Sequence, residues 1–203
     1  MSVNQQAGYQ VGSVAVVREV LANTEFKLEV PGVMASTAID GSNTGFTDRI
    51  RGGWLLGQIT ATRQWAPMKR SLASAAGSNV NVVTVFNAAA FAVGDAIDIG
   101  ATINRTITAI NYGTNVITFN GAAISPQIGD VVQARDGSQN ARGVLLDEEV
   151  DLRDYENRTA VTKPIRVLIA GYVRAGSVLG DRAAAAGDTS ALLGMIRFTD
   201  SYE

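Results

Sequence analysis

The 203-residue chain contains no cysteine and no histidine. Without cysteine there is no disulfide, no thiolate nucleophile and no Cys-based zinc site. Without histidine the commonest general base and transition-metal ligand are gone, and with them every Ser-His-Asp or Cys-His arrangement. Acid–base chemistry would fall to carboxylates, lysine or a bound cation, so an enzyme is the least expected class. Charge is sparse as well. Asp, Glu, Lys and Arg make up 18% of the chain, against roughly 25% in an average soluble domain. The formal net charge is -2, and no basic stripe of the kind that tracks a phosphate backbone interrupts the sequence, which argues against a nucleic-acid partner. Long apolar runs are missing too. No stretch approaches the roughly 18 residues of a membrane span. The opening MSVNQQAGYQVGS has neither the basic region nor the apolar run of a secretion signal. The expected location is the cytoplasm, or a particle assembled there.

What replaces charge is glycine, alanine, valine and threonine, in short segments of strand character. The length suits one large domain or two small ones, with a genuine core. Residues 1–50 carry runs such as Val14–Val17 and Phe26–Val30, broken by Gly8, Gly12 and Asn23 and followed by Gly41-Ser42-Asn43-Thr44-Gly45. Such a segment adds strands to its own domain, pairs with an edge on another molecule, or is a partly disordered tail. Residues 51–69 read as a β ribbon with Trp54, Leu56, Ile59 and Ala61, ended by Pro67. Trp54 and Trp65 are expected as core or subunit-contact anchors.

Residues 74–136 contain an internal repeat. VTVFNAAAF at 83–91 matches VITFNGAAI at 116–124, setting Phe86 on Phe119. Val93-Gly94-Asp95 then matches Ile128-Gly129-Asp130. Between the copies, Arg105–Ile110 alternates by two and leads into the turn Asn111–Asn115. Two similar β units are expected to close on each other as a small barrel or sandwich, since neither can bury its apolar face alone. Small polar stretches at 72–78 and 136–140 flank this insert, and strand patterns resume at Gly143–Leu146 and Ile165–Val173. Asp188-Thr189-Ser190 can cap a short helix carrying Ala191, Leu192 and Leu193, which Gly194 stops before a closing strand at Met195–Phe198. The fold class is therefore all-β, mainly strands with a short C-terminal helix.

With 74–136 lifted out, the order is GWLLGQITATRQWAPM, ARGVLLDEEVDL, KPIRVLIAGYVRAGSVLG, then ALLGMIRF. It resembles the head decoration, or capsid cement, proteins of tailed bacteriophages, the phage lambda type. The likeness lies in the glycine-rich opening, Gly143–Leu146, Val167–Val173 and the short helix and strand Ala191–Phe198. The resemblance implies a β-rich decoration core of β-tulip or β-clip type at 51–73 and 137–203, with 74–136 inserted. It also implies an N-terminal arm at 1–50 that orders on the capsid, with Tyr9, Val14, Val16, Phe26, Leu28 and Val30 as contact residues. Trimers are implied at three-fold positions of the shell. Trp54, Trp65, Leu192 and Leu193 are the expected subunit contacts, and the phage major capsid protein is the expected partner, with no cofactor.

Other readings stand beside this one. A tail- or fibre-associated protein is the alternative within virus structure. A host-surface glycan is a possible ligand of the insert, whose aromatics are Tyr112, Phe86 and Phe119, although the matched positions of the two phenylalanines argue for core. The acidic run Asp147-Glu148-Glu149-Val150-Asp151, with Asp154 and Glu156, offers oxygen ligands to a hard cation. It lacks the D-x-[DN]-x-[DN]-G loop and has Arg153 and Arg158 close by, so a solvated loop with local ion pairs is the stronger expectation. The Gly-Asp pairs at 94–95, 129–130 and 187–188 read as turns, and the sequons at Asn104 and Asn157 carry no weight without a secretion signal.

Overall fold

The computed structural model describes residues 20–21, 27–186 and 195–199. In chain order the strands are β1 (Leu28–Met34), β2 (Arg49–Arg51), β3 (Leu55–Gln58), β4 (Trp65–Pro67), β5 (Arg70–Leu72), β6 (Val82–Thr84) and β7 (Ala96–Ile99). They continue as β8 (Thr102–Asn111), β9 (Val116–Phe119), β10 (Val131–Ala134), β11 (Ala141–Leu145), β12 (Glu149–Asp151), β13 (Lys163–Arg174) and β14 (Ile196–Thr199). A short helix, α1, spans Arg182–Ala186. The chain is mostly β, as its sequence pattern predicts.

Strands β1, β4, β3, β11 and β13 form a closed five-strand barrel, because β1 pairs with β13 as well as with β4. The ring is held most extensively at its β1–β13 side, where the antiparallel ladder runs from Leu28↔Ala170 to Met34↔Lys163. The β1–β4 side has one bridge, Met34↔Trp65. There the Trp65 indole lies over Gly32, where a Cβ would sit 2.6 Å from the ring. Gly171, at φ 142, marks the point where β13 passes from β1 to a new partner, β14, in parallel register with Gly171–Arg174. Only glycine adopts this backbone readily.

Consecutive strand residues point to opposite sides, and both sides of this barrel are buried. Leu56 and Val167 join Met34, Ile50, Trp54, Trp65, Leu145 and Ile165 in one cluster. Their neighbours Leu55 and Leu168 join Val20, Met68, Val144, Val173, Ala185 and Ile196 in another. Trp54 and Trp65 are thus core side chains of their own barrel, 1% and 9% exposed, and are not free to serve as the subunit contacts expected of them.

Strands β5, β10, β7, β8, β9 and β6, in that order, make a curled antiparallel half-barrel around a core that includes Phe91, Ile97, Ile99, Ile107, Ile117, Phe119 and Val132. Its outer strands approach one another at the Ala73↔Val85 bridge. The internal repeat is visible here as an approximate two-fold. Gly94 N–H donates to the Ile107 carbonyl and Ile107 N–H to the Asp95 carbonyl. Correspondingly, Gly129 N–H donates to Ala73 and Ala73 N–H to Asp130. Val85 N–H reaches the Asn115 carbonyl as Phe119 N–H reaches that of Asn81. Both glycine turns place Gly at positive φ (94° and 88°), as a type II turn demands. In each, the aspartate accepts the N–H that opens the turn, Ala92 at 2.7 Å and Gln127 at 2.8 Å.

This symmetry corrects the alignment read from the sequence. The β6–β9 ladder is centred on Val83↔Ile117, so Val85 corresponds to Phe119 and Phe86 to Asn120. A one-residue shift reverses the face of every side chain. Phe119 is accordingly buried at 2%, whereas Phe86, expected in the core, is 60% exposed. The FN and FN segments are alike in letters and out of phase in space.

Asp181 joins the two β units. Its carboxylate accepts Ser71 Oγ–H (2.7 Å) and Leu72 N–H (2.9 Å) from the half-barrel side, and Ala184 N–H (3.0 Å) as the cap of α1. The helix expected around Ala191–Leu193 lies outside the described residues, and the described helix is instead the alanine tract that Asp181 caps. Asp181 is 8% exposed, and its removal leaves three donors without their acceptor. Asp181→Ala is expected to cost about 2–4 kcal/mol, measured as a lower urea midpoint at unchanged slope.

Candidate interaction surface

The residues expected to contact a partner through the N-terminal arm fall into two groups. Tyr9, Val14, Val16 and Phe26, like Leu192 and Leu193, lie outside the described residues. Leu28 and Val30 lie on β1, zipped along β13 as part of the barrel rather than in a separate arm. Upstream of β1 the chain still follows β13: Leu21 bridges Val173, and Arg174 N–H donates to the Val20 carbonyl at 3.0 Å. Val20 and Leu21 therefore meet the barrel at the Arg174 end of β13, where β14 also docks.

That end is apolar and open. Leu28 is 52% exposed, Met195 48% and Phe198 38%. Leu28 and Met195, with Lys27, Ala170, Gly171, Tyr172 and Arg197, line an open groove of about 580 Å³. Strand β14 forms the end of its sheet. The free edge of β1 is guarded differently. Arg166 N–H goes to Asp147 Oδ2, and its carbonyl accepts Leu146 N–H, so both point away from β1. Pro31, opposite Arg166, must therefore present its own edge outward, and proline has no N–H to offer there. Of the two edges, β14 is the one suited to strand addition.

The loop from 35 to 48 lies between barrel and half-barrel. Gly41 N–H donates to the Ala89 carbonyl at 2.7 Å, and the Tyr112 ring packs against Gly41 while its hydroxyl donates to the Phe91 carbonyl at 2.9 Å. Burial, with Asp95 nearby, pushes the Tyr112 phenol up. Of the three aromatics weighed for glycan binding, Phe119 is core and Tyr112 is committed to this junction, so Phe86 alone is free to face a ligand. Lys69, 6% exposed, spans the same junction, with its Nζ 2.7 Å from Asp95 and 3.7 Å from Asp136.

The acidic run is engaged in ion pairs, but with arginines from elsewhere in the chain, and its Glu149–Asp151 part is strand β12 rather than the solvated loop expected. Asp147 binds Arg166 at 2.9 Å, Glu149 and Asp151 flank Arg49 at 3.5 and 3.3 Å, and Arg153 pairs with Asp48. Among the described residues no group of three or more acidic side chains is arranged to hold a metal ion. No described helix is long and apolar enough to cross a membrane. Comparison with protein-family models, with curated proteins and with solved structures gave no match.

Asp40 stands in no motif or regular pattern of the sequence. It is fully buried and held by Arg51 through two hydrogen bonds, 2.7 Å to Oδ2 and 2.9 Å to Oδ1, with Ser42 Oγ–H at 2.9 Å. Burial alone would raise its pKa, but the Arg51 guanidinium overrides this and holds it below 3.8. A carboxylate with a depressed folded pKa stabilises the fold above its unfolded value, and that contribution is lost as pH falls through the folded one. Asp40→Asn is expected to lower the melting temperature at about pH 7, with the gap to the parent chain closing as pH drops below the ordinary carboxylate range. Thermal melts across that range check it.

Proposed function

We propose that this chain is a structural subunit that binds the outer surface of a tailed-phage head, as a trimer on the major capsid protein, and stiffens the filled shell. One observation carries the reading. The segments that resemble head decoration proteins are separated in sequence by the 74–136 insert and by loops. They nevertheless come together as adjacent strands of one barrel, β3 and β4 beside β11 beside β13. The pairing of β1 and Leu21 with β13 supports it further, because main-chain bonding is present in the described part of residues 1–50. The same main-chain bonding, continued onto a neighbouring sheet edge, would hold a decoration subunit with little dependence on side-chain chemistry. Three such segments acting together would offset the entropy of ordering each one.

The test uses phage heads stripped of their decoration protein. Saturable binding of the full chain, raising the temperature at which packaged DNA escapes, is the expected result. A variant lacking residues 1–19 retains β1 and is expected to fold and to bind at least tenfold more weakly, a loss of about 1.4 kcal/mol or more. Cutting at Gly52 would remove β1 and open the barrel, so it does not isolate the arm. Failure of the full chain to bind heads would overturn the proposal and favour a tail or fibre attachment.

A further inference from the structure

Asn120-Gly121 is the sole Asn-Gly dipeptide of the chain, and its surroundings resemble a small catalytic arrangement. Asn120 is exposed just beyond β9. Its side-chain Oδ1 accepts a hydrogen bond from Thr106 N–H at 2.9 Å, and its own N–H donates to the Thr106 carbonyl at 3.0 Å. The first bond fixes the amide and polarises its carbonyl, as a donor aimed at a developing oxyanion does. The Nδ2 end of the amide takes no part in it. Gly121 has φ 92° and no side chain to obstruct approach. A Cβ on Gly121 would lie 2.6 Å from Arg105 Nη1, which places the guanidinium against this stretch of backbone. Positive charge there favours the deprotonated form of a nearby nitrogen. Arg105 Nε is itself buried without a hydrogen-bond partner.

We propose that Asn120 is a self-modification site, at which the folded half-barrel promotes deamidation of its own backbone junction. The Gly121 nitrogen gives up its proton to solvent and attacks Asn120 Cγ. Negative charge then develops on Oδ1, where Thr106 N–H stabilises it, and Arg105 favours the deprotonated nitrogen. The Cγ–Nδ2 bond breaks and, with a proton from water, ammonia leaves, giving a five-membered succinimide. Water opens the ring at either carbonyl, yielding aspartate or isoaspartate. Each event makes the chain one charge more negative. The isoaspartyl product inserts an extra carbon into the main chain, which breaks the paired Thr106–Asn120 bonds and loosens the junction of β8 and β9.

Other asparagines of the half-barrel lack this combination. Asn87 is followed by Ala88, whose N–H is already donated to Asn115 Oδ1 at 3.0 Å, so the attacking nitrogen is engaged. Asn111 Oδ1 is likewise polarised, by Gly113 and Thr114 N–H, but the next residue is Tyr112, whose bulk hinders ring closure. Purified full-length protein held at neutral to mildly alkaline pH, sampled over days and mapped by peptide mass, tests the idea. The expected result is a gain of about 1 Da confined to the Asn120 peptide and faster than in the same chain unfolded in urea. Asn120→Gln should abolish it. Arg105→Gln, at unchanged melting temperature, should slow it several-fold and move the rate–pH profile to higher pH. Equal rates in folded and unfolded chains, or a gain at Asn87 as fast as at Asn120, would overturn the proposal.

Discussion

The pairing of β1 with β13 is the contact on which the rest of the molecule depends. It closes the five-strand ring, and through Leu21 and Val173 it sets the line along which the chain enters the fold. It is a long-range contact, made between residues near the two ends of the sequence. Everything between them, including the whole half-barrel, is enclosed by a ladder that forms only after a large loop has been closed. Gly171 lets one strand serve two partners in succession, so a single twelve-residue segment organises both the barrel and its outlying strand.

Polar groups handle the junction between the two β units. Asp181 reaches from the helix cap to β5, and Lys69 sits between Asp95 and Asp136. The apolar contribution is small, with Ala89 and Ala90 of the half-barrel lying in the cluster of Trp54 and Ile50. Buried charged groups of this kind are costly unless fully partnered. Their directional bonds fix the geometry of a junction that alanine contacts alone would leave loosely specified.

Much of the fold was legible because strands announce themselves by alternation and turns by glycine. The Ile165–Val173 segment, the Trp54–Pro67 ribbon and both Gly-Asp turns of the half-barrel stand in the structure where the pattern put them. The misreadings have physical causes. Phe86 and Phe119 match as letters, but strand facing has a period of two, and the ladder registers Phe119 with Val85. The tryptophans carried no sign of whether they anchor a core or a contact, since either role buries a large ring. Asp181 and Lys69 were not legible because each finds its partner far along the chain, and no local spacing records a pairing such as Ser71 with Asp181, while Asp40 meets Arg51 through a loop that has no periodicity to read.

Strand β5 opens the half-barrel and β10 ends it, and the two are hydrogen-bonded neighbours, Leu72 opposite Val131. Chain entering and chain leaving thus pass through a single doorway no wider than a hairpin. Beyond that doorway the module touches the barrel again only at particular points, where Ala89 and Ala90 enter the cluster of Trp54 and Ile50 and Tyr112 packs on Gly41. The two β units are thus joined through adjacent strands, and the ladders that close the barrel contain no strand of the module between them.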